Sequence, residues 1–181
     1  MSKIPKQCIF CGGFGVTKEH VIPPWIGRAL DGTSTHRVAI SMDINLRELT
    51  LSTGTPPRTL QGHIFTRKVR GVCRSCNEGW LSRLEQHVRP MLVPLIADQQ
   101  VVLTVDDQRT LACWVATTAM VNQFFSPTYV VTPHEERRYL MSRGFPPDNW
   151  AIFAAPLCGE KWSTMIQSEA GTLGRTPTGS G

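Results

Sequence analysis

The chain has 181 residues, enough for one ordinary domain or a small domain with an appendage, and long enough to bury a real core without relying on a metal throughout. Apolar and charged contents of 41% and 18% are those of a globular protein, which excludes disorder over most of the length. A net charge of +5 favours acidic partners, of which nucleic acid is the commonest, and by itself excludes little else.

Apolar runs of about 18 residues are absent and Met1–Lys6 leads into no apolar segment, so a soluble, unexported, cytoplasmic protein with no membrane partner is expected. Four of the 6 cysteines fall into pairs with the same short spacing, Cys8 with Cys11 and Cys73 with Cys76, whereas Cys113 and Cys158 stand singly in apolar stretches. A disulfide framework does not divide this way, and reduced, metal-binding use does.

In chain order, Cys8-Ile-Phe-Cys-Gly-Gly reads as a zinc knuckle whose glycines let the turn aim backbone amides at the thiolates. Val16–Ile22 is predicted as a short strand carrying Glu19 and His20; Pro23 and Pro24 end it, and Trp25–Leu30 reads as a brief helix. Residues 31–62, rich in Gly, Thr, Ser and Pro, read as an insertion of one or two hairpins or a loop, with alternation at Arg37–Met42 and Leu46–Leu51. His63–Val72 alternates again and is the strand expected to deliver the second knuckle. A helix from about Asn77 to Arg89 follows, with Leu81, Leu84 and Val88 on one face and Pro90 as its stop.

Residues 90–168 read as a separate, mainly helical unit. Thr104-Val-Asp-Asp107 has the form of a capping box before a long helix in which Leu111, Trp114, Val115 and Thr118 recur at helical spacing. Thr132-Pro133-His134-Glu135 opens a second helix, with Pro133 at its first position and Gly144 closing it. Trp150–Ala155 and Lys161–Gln167 suit a terminal hairpin, and residues 169–181 a disordered tail.

Four thiolates in two knuckles make a closed tetrahedral site for structural Zn²⁺ at Cys8, Cys11, Cys73 and Cys76. Between the knuckles, Glu19 and His20 are neighbours that a regular strand sends to opposite faces, unless a distortion brings both to one centre. The carboxylate suits a divalent cation and the imidazole a water molecule. Asn77 either offers a second oxygen ligand beside the knuckle or caps the helix that begins there. Arg67, Lys68, Arg70 and Arg74 suit phosphate contacts, or form a solvated strand face. His36, His63, His87 and His134 read as solvated or packed, with His63 the best reserve ligand.

The order Cys-x2-Cys, then Glu19-His-Val-Ile-Pro23, then Cys73-x2-Cys-Asn77 resembles the HNH endonucleases of the treble-clef, ββα-metal type, over roughly residues 8 to 89. Gly79-Trp-Leu-Ser-Arg-Leu-Glu85 and the helical region after it resemble a branch of HNH-like proteins of actinobacteria and their phages, to about residue 125. The resemblance implies an α+β fold, a zinc-stabilised treble-clef core over 1–89 with a mainly helical C-terminal extension. It implies cleavage of DNA, with His20 as general base and Glu19 and Asn77 holding Mg²⁺ or Mn²⁺. Two positions depart from the family pattern. Lys68 stands where an asparagine orients the histidine, and Leu81 where many members carry a second histidine. RNA remains an alternative substrate. The second functional reading is a non-catalytic zinc-stabilised module that binds nucleic acid or a protein partner, for example a phage-encoded inhibitor. Oligomeric state is not legible.

Overall fold

A computed structural model describes residues 7–30, 36–45, 50–61, 64–124 and 130–154, with backbone alone at 36–45, 50–61 and 64. In chain order the elements are β1 (Val16–His20), α1 (Pro24–Ala29), β2 (His36–Asn45), β3 (Thr50–Gln61), a 3-10 turn (Ile64–Thr66), β4 (Lys68–Cys73), α2 (Arg74–Cys76), a π-type turn (Asn77–Leu81), α3 (Ser82–Ile96), α4 (Val105–Gln123) and α5 (His134–Arg143). The fold is α+β: helices with two small antiparallel sheets among the described residues, β1 with β4 and β2 with β3.

β1 and β4 lie far apart in sequence and pair with Val16 opposite Cys73 and His20 opposite Lys68. The register shifts after Thr17, so that Thr17 faces Val72 while Lys18 faces Arg70, leaving Gly71 as the extra residue of a bulge. Gly71 O accepts the Ile9 N–H at 2.8 Å, so the bulge fastens the first knuckle to the strand that carries the second.

The insertion forms one hairpin. Pro56 and Pro57 have no N–H for a ladder, and the pairing breaks there, between Ala39–Arg58 and Ser41–Thr55.

Pro24 occupies the first turn of α1, where its fixed φ suits the helix and its missing N–H costs nothing. The helix buries Trp25 and Ile26 and brings Gly27 against Phe65; a Cβ at Gly27 would lie 2.7 Å from the Phe65 ring. Alanine would gain up to about 1 kcal/mol in helix propensity, but overpacking a core contact costs about 1–3 kcal/mol. Gly27→Ala is therefore expected to lower the thermal midpoint, and calorimetry reads the sign.

Two helices depart from the sequence reading. α3 does not stop at Pro90 but runs through it and Pro94 to Ile96. Val88 is fully buried and Leu92, Val93 and Ile96 pack against the core, so apolar contact holds a helix that lacks two backbone donors. In α4 the buried face is Cys113, Ala116, Thr117, Met120 and Val121, whereas Trp114 and Thr118 are half-buried and Val115 is exposed. Small and weakly polar side chains make that face, which hydrophobicity alone does not mark.

The helix ends follow the sequence closely. The Thr104 hydroxyl accepts the Asp107 N–H at 3.2 Å and the Asp107 carboxylate accepts the Thr104 N–H at 2.9 Å. Gly144 closes α5 at φ 74°, a left-handed conformation that glycine adopts without strain. Pro133 is the N-cap of α5 rather than its first helical residue. The proposed terminal hairpin lies outside the described residues beyond Ala154, and residues 150–154 carry no regular structure.

One cluster of buried side chains runs from the knuckles into the helices and includes Phe10, Val72, Met120 and Leu140, all fully buried. Arg137 of α5 locks the two regions together. Its Nε donates to Ile9 O at 2.8 Å, its Nη1 to Thr132 O, and its guanidinium lies 5.1 Å over the Phe124 ring. Among the described residues, no helix is long and apolar enough to cross a membrane.

Candidate functional site

The first knuckle turns at Cys8–Gly13, closed by Cys8 N–H to Gly13 O at 2.7 Å and Gly12 N–H to Cys8 O at 2.9 Å. Gly12 takes φ 75°, which frees the turn to fold back on itself. The second knuckle turns where β4 passes into α2. The four sulfurs of Cys8, Cys11, Cys73 and Cys76 lie within 4.8 Å of one another, and Cys11 Sγ is 3.5 Å from Cys73 Sγ. Tetrahedral zinc with bonds of about 2.3 Å separates its sulfurs by roughly 3.8 Å, so this spacing fits a metal ion.

The surroundings fit one as well. Gly13 N–H points at Cys11 Sγ at 3.3 Å, and the Ser75 hydroxyl lies 3.1 Å from Cys73 Sγ. Burial pushes the Cys73 thiol up, but Ser75, the Cys76 backbone N–H and the neighbouring thiols outweigh it and hold it at about 6. Burial and the adjacent Cys11 push Cys76 far up, and burial raises Cys11. Thiols this close cannot all ionise beside one another unless a cation neutralises them. The buried Trp80 indole N–H has no oxygen or nitrogen partner and faces Cys76, where it favours the thiolate. Trp80 is held edge-on to Phe10, with ring centroids 5.0 Å apart. Cys113 is buried in α4 away from the four, and Cys158 lies outside the described residues.

A second constellation forms where β1 ends. Val21 N–H donates to Arg67 O at 3.0 Å, and the buried Val21, Ile22 and Pro23 anchor the turn beyond the strand. Glu19 and His20 therefore stop at the mouth of a cleft walled by Leu81, Leu84 and Glu85 from the π-type turn and α3, and by Trp114, Thr117 and Thr118 from α4. Despite the alternation of a strand, both neighbours line this cleft. His20 N–H donates to Glu19 Oε1 at 3.1 Å.

Asn77 completes the group. Its φ and ψ of −64° and −55° are helical and its side chain makes no capping bond, so it does not cap a helix; Cys73 is the extended residue before α2. Its amide is close enough to the Glu19 carboxylate to favour the charged form. Burial dominates the titration of Glu19 and pushes it up, the Glu85 charge pushes it further, and His20 N–H, Asn77 and Lys68 pull against both. Burial likewise raises Glu85, against the Trp25 indole N–H that faces it. His20 is lowered by burial and then by the Lys68 ammonium on the paired strand.

The four candidate cations part company. Lys68 and Arg70 are exposed on β4, with His20 and Lys18 opposite them. Arg74 is exposed but turned to Glu78 at 2.8 Å. Arg67 is partly buried and is engaged through its carbonyl with Val21. His87 Nδ1 bonds Arg83 O at 2.7 Å, and His134 lies beside Gly12. His63 lies outside the described residues, as does the side chain of His36.

Sequence reasoning missed Lys18, Glu85, Trp25 and Thr117. Lys18 was hidden by the bulge, which skips Gly71 and sets Lys18 opposite Arg70. Glu85 was hidden by the winding of the helix. Ser82 N–H reaches back to Asn77 O, a π-type bond, and Gly79 leaves helical geometry at φ −92°, ψ −108°. Eight residues on a plain α-helix put Glu85 about 80° round from Asn77, and the break at Gly79 removes even that count, so helical spacing does not predict where Glu85 lies. Comparison with known protein families, curated proteins and solved structures finds no match to this chain.

Proposed function

We propose that the chain is a metal-dependent endonuclease of HNH type acting on DNA, with a treble-clef, ββα-metal core held by zinc on Cys8, Cys11, Cys73 and Cys76. The observation that supports this reading is that Glu19 and His20 line one cleft, with the Asn77 amide against the Glu19 carboxylate, in a chain whose four paired cysteines cluster. Thiolate-held zinc also suits a reducing, cytoplasmic setting.

His20 accepts the proton of the water that attacks phosphorus. Its lowered proton affinity keeps the imidazole neutral, as a general base must be. Glu19 and Asn77 hold a divalent ion such as Mg²⁺ or Mn²⁺, which when bound neutralises the phosphate and the departing 3′ oxygen. Lys18 stands opposite Arg70, like charges that disfavour the sheet when directly paired; a polyanion along that face relieves the repulsion. Such contacts grip the backbone without reading bases.

Because the base must be unprotonated and His20 sits below its ordinary value, cleavage is expected to rise with pH through a point below 6.5 and to be flat above it. A pH profile of single-turnover nicking checks this, and an inflection above 6.5 contradicts it. The reading as a whole is tested by incubating zinc-loaded protein with supercoiled plasmid and Mg²⁺ or Mn²⁺, with EDTA as the control. Metal-dependent nicking is expected.

One feature favours the non-catalytic binding module. Lys68, paired opposite His20, stands where the family's orienting asparagine stands. Tight DNA binding without cutting, under every divalent ion, is the outcome that reading requires.

A further inference from the structure

We propose that Glu85 is a third protein ligand of the divalent cation held by Glu19 and Asn77, making the cleft a three-element site built from β1, the π-type turn and α3. The proposal rests on the metal-dependent reading for its first two ligands and adds a residue that the sequence pattern does not supply.

Three observations carry it. Glu85 and Glu19 are both half-buried and line the same cleft, Glu19 from the end of β1 and Glu85 from α3. Two carboxylates facing each other out of bulk water need a proton or a cation between them, and a site that also holds an amide oxygen at Asn77 has the donor set of a hard divalent ion. The kinked π-type turn lies between Asn77 and Glu85, so the break at Gly79 rather than helical periodicity sets where α3 presents Glu85 to the cleft.

The second observation is orientation. The Trp25 indole N–H faces the Glu85 carboxylate, and Trp25 is fixed in turn by Trp114, at 6.4 Å between centroids, and by the Arg89 guanidinium 5.9 Å over its ring. Ligating carboxylates are commonly held by an outer hydrogen bond of this kind.

The third is an unmet polar group. Thr117 lines the α4 wall of the same cleft and is only 6% exposed, and its buried hydroxyl has no oxygen or nitrogen partner, with the Cys113 thiol beside it. A buried hydroxyl without a strong partner costs about 1–3 kcal/mol, so the α4 wall carries a polar group that packing alone does not explain.

The test is titration of zinc-loaded protein with Mn²⁺, followed by the EPR signal of free ion. Mn²⁺ prefers oxygen donors, so it reports the carboxylates rather than the thiolates. Wild type is expected to bind one Mn²⁺ per chain. Glu85→Gln keeps an acceptor for Trp25 while removing the charge, and is expected to weaken Mn²⁺ by about 10- to 100-fold with zinc content unchanged. Trp25→Phe leaves the carboxylate but frees it, and should weaken Mn²⁺ about tenfold. Unchanged affinity in both variants, with Glu19→Gln losing the ion, overturns the role of Glu85 and leaves the Glu19–Asn77 reading standing. Wild type that binds no Mn²⁺ overturns both.

Discussion

Cys73→Ser is expected to reduce the metal content from one zinc per chain to none and to abolish the cooperative melting of the knuckle region. The four sulfurs have no covalent or disulfide link among them, and the sheet they fasten has two strands, which are marginal alone in water. Cys8, Cys73 and Cys76 are themselves buried in the core cluster, so losing the ion leaves unpaired polar sulfur where packing is tightest. Structural zinc contributes about 10–16 kcal/mol in isolated zinc-finger peptides. Here the helices supply core of their own, and the expected remainder is a partly helical chain whose residues 7–30 and 64–81 are no longer protected. Elemental analysis gives the zinc content and hydrogen exchange the protection. Cys113→Ser is the control, because that thiol is buried in the same core but is not one of the four grouped sulfurs, and its replacement should leave the metal content unchanged. A zinc-free Cys73→Ser protein with native protection would contradict the assignment.

Much of this arrangement is legible in the sequence because it rests on local chemistry. Paired cysteines announce by spacing a thiol cluster that could hold a metal, Thr104 and Asp107 announce a helix start by reciprocal hydrogen bonds, and Gly144 announces an end by its φ. A strand carrying Glu19 and His20 was readable, but its end was not: Val16–Ile22 was expected, and β1 stops at His20, where Val21, Ile22 and Pro23 turn into the core. What was hidden depends on contacts made across the chain. Pro90 and Pro94 read as helix stops, yet Leu92, Val93 and Ile96 hold α3 together through packing. The buried face of α4 uses Cys113, Ala116 and Thr117, residues that carry little apolar signal. The pairing of Lys18 with Arg70 depends on Gly71 being skipped, and the presence of Glu85 in the cleft follows a break in helical geometry at Gly79. Neither irregularity leaves a periodic trace, so counting along a regular strand or helix puts both residues elsewhere.

His20→Ala is the second change expected to have a large effect, and it bears on the centre of the proposed mechanism. The imidazole lines the cleft, belongs neither to the four-cysteine group nor to the buried core residues, and is half-exposed, so its removal should leave the fold and the zinc intact. A positioned general base contributes about 10²- to 10⁴-fold to rate, and that is the loss expected in single-turnover cleavage. Lys68, left beside an empty position, cannot replace it, because an ammonium has no lone pair to accept a proton. The decisive measurement is nicking of supercoiled plasmid by wild type and His20→Ala at equal, measured zinc content, in Mn²⁺ and in EDTA. Manganese-dependent nicking by wild type that falls at least about a hundredfold in His20→Ala is the predicted result. Equal cutting by both proteins, or none by zinc-loaded wild type on plasmid, single-stranded DNA or RNA, would contradict the nuclease reading.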